Sequence, residues 1–116
     1  MTLGHIELFV HDPLKSREFY EKVLGFEVEA VQQERFVWLN LGTLEILLRP
    51  GNPQSAPDYI SSASGFVLYT DDLKKTVETL TGRGLVFRAH EGAGSCYTFA
   101  DPDGHWFQLV DPKDHQ

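Results

Sequence analysis

Residues 5–25, HIELFVHDPLKSREFYEKVLG, and residues 65–84, GFVLYTDDLKKTVETLTGRG, carry the same plan twice. In each, alternating apolar side chains make a strand, an aspartate stands where a helix should begin, and a glycine stands where it should end. In the first copy Ile6, Leu8 and Val10 share one strand face, and His5, Glu7 and Phe9 share the other. Asp12 can cap the helix, Pro13 suits its first turn, and Gly25 supplies a left-handed stop. Leu14, Tyr20, Val23 and Leu24 form the expected buried stripe of that helix, and Leu73, Val77 and Leu80 that of the second.

Each helix is followed by three strand-like runs. After the first come FEVEAV, RFVWLNL and LEILLR, with turns at Gln32–Glu34 and Gly42–Thr43; after the second come LVFRAH, SCYTFAD and HWFQLVD. Between the halves lies PGNPQSAPDYISSAS, rich in proline, serine and glycine, which reads as an exposed connector. An internal repeat of half the chain therefore predicts an α+β fold of two βαβββ modules, residues 1–49 and 65–116, joined by a connector at 50–64. Two curved mixed sheets with outer helices should enclose a cleft.

The 116 residues suffice for a single domain with a substantial core. A content of 41% hydrophobic and 23% charged residues, with no apolar run of membrane-spanning length, fits a water-soluble protein without a membrane partner. The first residues enter a strand pattern with no secretory leader, so a cytoplasmic location is expected. A net charge of −7, without a Lys/Arg cluster, disfavours nucleic acid and leaves a small molecule as the expected partner. The lone cysteine, Cys96, reads as a small buried hydrophobe. His11, His105 and His115 read as solvated positions, and His90 as part of a loop.

Three pieces in this order, HIELFVHD, FYEKVLGFEV and DPDGHWFQL, resemble the vicinal oxygen chelate superfamily. That superfamily includes glyoxalase I, extradiol dioxygenases, fosfomycin-resistance enzymes and bleomycin-resistance proteins. The resemblance implies the paired-module fold, often assembled as a homodimer, and in metal-dependent members a ligand on the first and last strand of each module. Carried onto this chain, those positions are His5 and Glu45 in module one. In module two they are Gly65, or Ser64 under a one-residue shift, and Gln108.

Gln108 thus stands where the resemblance implies a metal-binding carboxylate. An amide keeps the oxygen but lacks the charge that holds zinc, nickel, manganese or iron tightly, and it cannot abstract a proton at neutral pH. Extradiol chemistry would need a second histidine that no matching strand supplies. The favoured expectation is a metal-independent small-molecule-binding protein, similar to the bleomycin-resistance branch, with Glu7, Phe9, Trp38, Tyr69, Trp106 and Gln108 lining the site. Aromatic walls and carboxylates suit a flat, polar or cationic ligand. The alternative is a metal-dependent lyase or isomerase resembling glyoxalase I or the fosfomycin-resistance enzymes, with His5, Glu45 and Gln108 as ligands. A third reading is a partner-regulated module without a small ligand.

Overall fold

The computed structural model describes residues 1–88 and 97–115, so Cys96 and His90 lie outside the described residues. The chain divides into two units, Met1–Gln54 and Ser55–Gln116, a division that falls inside the connector. No helix among the described residues is long and apolar enough to cross a membrane.

The first unit runs β1 (Ile6–Val10), α1 (Pro13–Glu18), β2 (Glu27–Gln32), β3 (Phe36–Asn40) and β4 (Glu45–Pro50). Its four strands lie in the order β1-β4-β3-β2, with β1 parallel to β4 and the other pairs antiparallel. Alternation then decides the faces. Leu8 and Val37 both pair with Leu48, and Leu39 pairs with Ile46. These residues and Val10 are all buried, so one sheet face is wholly apolar.

Asp12 caps α1 by accepting the Lys15 N–H at 3.3 Å, and Pro13 occupies the first turn. The helix then widens into a π-helical turn over Phe19–Val23, where the Leu24 N–H reaches the Phe19 carbonyl at 3.1 Å. The expected stripe is met only in part. Tyr20, Pro13 and Ser16 are the buried residues, whereas Leu14 is exposed. Gly25, at φ +79°, ends the segment as anticipated.

The second unit holds β5 (Phe66–Tyr69), α2 (Leu73–Gly82), β6 (Tyr97–Ala100) and β7 (Trp106–Val110), with strand order β5-β7-β6. Again the first and last strands pair in parallel, Phe66 with Phe107 and Leu68 with Leu109. Phe107 stacks on Phe99 at 5.2 Å between centroids and lies 5.3 Å from Phe66, which gives this core an aromatic centre. The strand expected over LVFRAH is reduced, among the described residues, to a single bridge from Arg88 to Thr98. The C-terminal segment forms a 3-10 turn at Pro112–His115.

The DPDG segment is a closed polar turn. Asp101 is buried, and its Oδ1 accepts the N–H groups of Asp103 at 3.0 Å and His105 at 2.8 Å. Gly104 sits at φ +87°, and a Cβ there would come within 2.7 Å of the Ser55 backbone. Glycine is therefore required twice, by the dihedral and by the close approach of the connector.

Candidate functional site

The sheet face of the first unit opposite α1 gathers the polar residues. Glu7, Leu47 and Trp38 are register neighbours across β1, β4 and β3, and Phe9 pairs with Arg49. The His5 Nε2–H donates to Glu7 Oε2 at 2.9 Å, and Arg49 Nη1 donates to Glu7 Oε1 at 3.1 Å. Both oxygens of Glu7 are thus engaged. The His5 hydrogen bond, and then the Arg49 guanidinium, hold the Glu7 carboxyl below the usual carboxylate range. The His5 ring also meets Trp38 edge-on at 4.8 Å.

This arrangement departs from the sequence reading in two ways. Arg49 pairs with Glu7, so a carboxylate expected to line a site for a polar or cationic ligand is already neutralised. The register also reassigns the module-one counterpart of Gln108. In the repeat Glu7 corresponds to Val67; Glu7 pairs with Leu47, and Val67 pairs with Gln108. Leu47, not Glu45, is therefore the equivalent of Gln108, and Glu45 corresponds to Trp106.

Glu45 lies half-buried at the start of β4, opposite Asn40, with a side-chain hydrogen bond to Glu29. That hydrogen bond and the charge of Glu45 push the Glu29 carboxyl above the ordinary glutamate value of 4.5. An acid whose folded value is raised adds stability below its unfolded value and loses it as pH rises through the folded value. Glu29→Gln, which keeps a donor for Glu45 but removes a charge, should raise the urea midpoint at pH 7, and the gain should vanish at pH 4. Parallel urea titrations of the two proteins check this.

In the second unit Val67, Gln108 and Thr98 are register neighbours across β5, β7 and β6. Gln108 is half-buried, and Tyr69 on the same face of β5 is 73% exposed. Trp106 differs from its expected role as a ligand wall. It is 3% exposed, and its Nε1–H donates to the Ala56 carbonyl at 2.9 Å, which fastens the connector to β7. Gly65, the first-strand position, lies under Tyr59, and a Cβ on it would stand 2.7 Å from the Tyr59 ring carbon Cζ. A larger side chain at this position would have to displace the Tyr59 ring. Tyr59 sits in a segment without periodicity, and only the smallness of Gly65 hinted at its presence.

No group of three or more His, Cys, Asp or Glu side chains among the described residues is arranged to hold a metal ion. Comparison with known proteins gives the family. Residues 2–109 match the model of the Glyoxalase/Bleomycin resistance protein/Dioxygenase superfamily. A glutathione transferase, FosA, from Serratia marcescens is 28% identical over 114 residues, spanning 93% of this chain and 79% of that protein. A lactoylglutathione lyase structure from Agrobacterium tumefaciens superposes with a TM-score of 0.72 at 19% identity, over 97% of this chain and 94% of that one. A superfamily member from Sphaerobacter thermophilus gives 0.69 at 25% identity, over 96% and 98%. The family match over nearly its whole length means that this chain belongs to the Glyoxalase/Bleomycin resistance protein/Dioxygenase superfamily.

Proposed function

We propose that the protein binds a small organic molecule without a metal ion, and that the polar sheet face of its first unit, around Glu7, Phe9 and Trp38, contributes the ligand contacts. The observation that carries this reading is Tyr59 packed over Gly65, which closes one metal-ligand position with a ring that has no side chain to share the space with. The other positions point the same way. Leu47 has no donor atom, Gln108 offers a neutral amide, and the His5 imidazole is committed to a carboxylate that Arg49 also holds. A divalent ion does not fit this donor set, because borderline metals need deprotonated or imidazole ligands in number. With no carboxylate at the Gln108 position to move a proton, binding without turnover is the simpler chemistry.

The second reading, a metal-dependent lyase or isomerase with His5, Glu45 and Gln108 as ligands, draws on the similarity to a glutathione transferase. Calorimetry separates the two. The stripped, untagged protein is titrated with nickel, zinc, manganese and ferrous iron, with His5→Ala and Glu45→Ala as controls. The expected result is no stoichiometric binding of micromolar strength in any of the three proteins. A gain of divalent binding in the combined variant Gly65→His, Tyr59→Ala, Gln108→Glu would support the assignment of the closed positions. Stoichiometric binding by the wild type that is lost in both controls would overturn the metal-free reading.

A further inference from the structure

Beside the Glu7–Arg49 pair, the first unit has an open depression of about 640 Å³ lined by Gln32, Gln33, Phe36, Leu47 and Arg49. Its polar groups include several donors. Arg49 spends Nη1 on Glu7 at 3.1 Å, and the rest of its forked donor set is uncommitted among the described residues, with the side chain 48% exposed. Gln32 accepts the Trp38 indole N–H at 3.0 Å. An indole N–H can only donate, so the atom it meets must be Oε1, and the Gln32 Nε2 is left to donate outward.

The apolar part of the lining is Phe36 and Leu47. Two guanidinium carbons approach the Phe36 ring, Arg35 at 5.6 Å and Arg49 at 6.0 Å from its centroid. No carboxylate among the described residues pairs with Arg35. Arg35 thus keeps its charge beside the Phe36 ring, while Arg49 shares its own with Glu7.

The backbone adds an independent sign. Gln33 and Glu34, at φ 53° and 54°, form the β2–β3 turn in the left-handed region with no glycine or asparagine. Glycine would adopt this turn without strain, so the retained side chain at Gln33, which lines the depression, is held there against a conformational cost.

We propose that this depression recognises small planar carboxylates, with the acid group on the Arg49 fork and the two glutamine amides, and the flat body against Phe36 and Leu47. The inference rests on the small-molecule-binding reading and names an acidic ligand class for it, where the sequence alone suggested a polar or cationic one. A guanidinium matches a carboxylate edge with two parallel hydrogen bonds, which gives orientation as well as attraction.

The test uses the full ¹⁵N-labelled chain and benzoate, with benzamide, benzylammonium and inorganic phosphate as comparison probes at equal ionic strength. The Trp38 indole N–H, assigned by its loss in Trp38→Phe, reports through its bond to Gln32. Benzoate should shift it saturably, together with the Gln32 and Gln33 side-chain amides. Arg49→Gln should weaken benzoate about tenfold, as for loss of a charge-assisted hydrogen bond. Arg35→Gln should weaken it about threefold, as for a more exposed charge. Arg49→Lys keeps the charge and the contact with Glu7 but loses the fork, and it should fall between wild type and Arg49→Gln, which keeps the test usable if Arg49→Gln folds poorly.

Absence of a benzoate shift, equal binding of benzylammonium, tighter binding of phosphate, or full affinity in both Arg49 variants would overturn the proposal. If benzamide shifts these signals and benzoate does not, the carboxylate assignment falls while the small-molecule reading stands. Metal-dependent benzoate binding would sink the metal-free reading and leave this one in place.

Discussion

Phe107→Ala is expected to cost about 3–5 kcal/mol of folding stability, the range for emptying a fully packed aromatic site. Phe107 is 1% exposed at the middle strand of the second sheet, stacked nearly parallel on Phe99 and within 5.3 Å of Phe66. Its neighbours are themselves held in an aromatic chain, since Phe87 meets Phe99 at 5.8 Å and Tyr97 at 5.4 Å. Stiff rings in one cluster cannot collapse into the vacated volume as aliphatic chains do, which puts the cost toward the upper end. Phe107→Leu fills much of the space and should cost about 1–2 kcal/mol. Urea unfolding of both variants against wild type checks the pair. Equal midpoints for the two would mean that ring stacking, not volume, holds this sheet together.

Asp101→Ala comes next, at about 2–4 kcal/mol. The side chain is 4% exposed, and removing it orphans the Asp103 and His105 N–H groups inside a turn that water reaches poorly. The turn also depends on backbone bonds from Asp101 N–H to His105 O at 2.9 Å and from Gly104 N–H to Asp101 O at 3.1 Å, so its loosening should spread. Asp101→Asn keeps an oxygen in the same place and should cost less than half as much. The same unfolding experiment reads the difference, and equal costs would show that charge, not hydrogen-bond geometry, is what the turn needs. The DPDG segment thus has a structural duty: it holds the turn that leads into β7.

Much of the fold was legible because it is written in local rules. Strand alternation gave the buried face of β1, Asp12 and Asp72 both cap helices as their positions suggest, and Gly25 ends the first helical segment. The π-helical turn at Phe19–Val23 was not legible, since no residue type encodes it.

The candidate site was harder for a different reason. Its decisive contacts join residues far apart in the chain, such as Glu7 with Arg49, and sequence spacing carries no signal for them. Glu45 attracted attention by its chemistry, as the acidic residue of its strand, whereas the position equivalent to Gln108 is fixed by pairing register and belongs to Leu47. Trp106 was read from alternation as a surface-facing wall, but alternation says which face a side chain takes and not whether a connector already covers it.

The parallel pairing of first and last strands has an evolutionary consequence. On the apolar faces the two halves still agree in kind, Ile6 with Phe66, Leu8 with Leu68, Ile46 with Phe107 and Leu48 with Leu109. On the opposite faces the corresponding positions have diverged to His5 and Gly65, and to Leu47 and Gln108. The shared apolar pairing is thus kept in both halves, while the groups on the opposite faces differ between them.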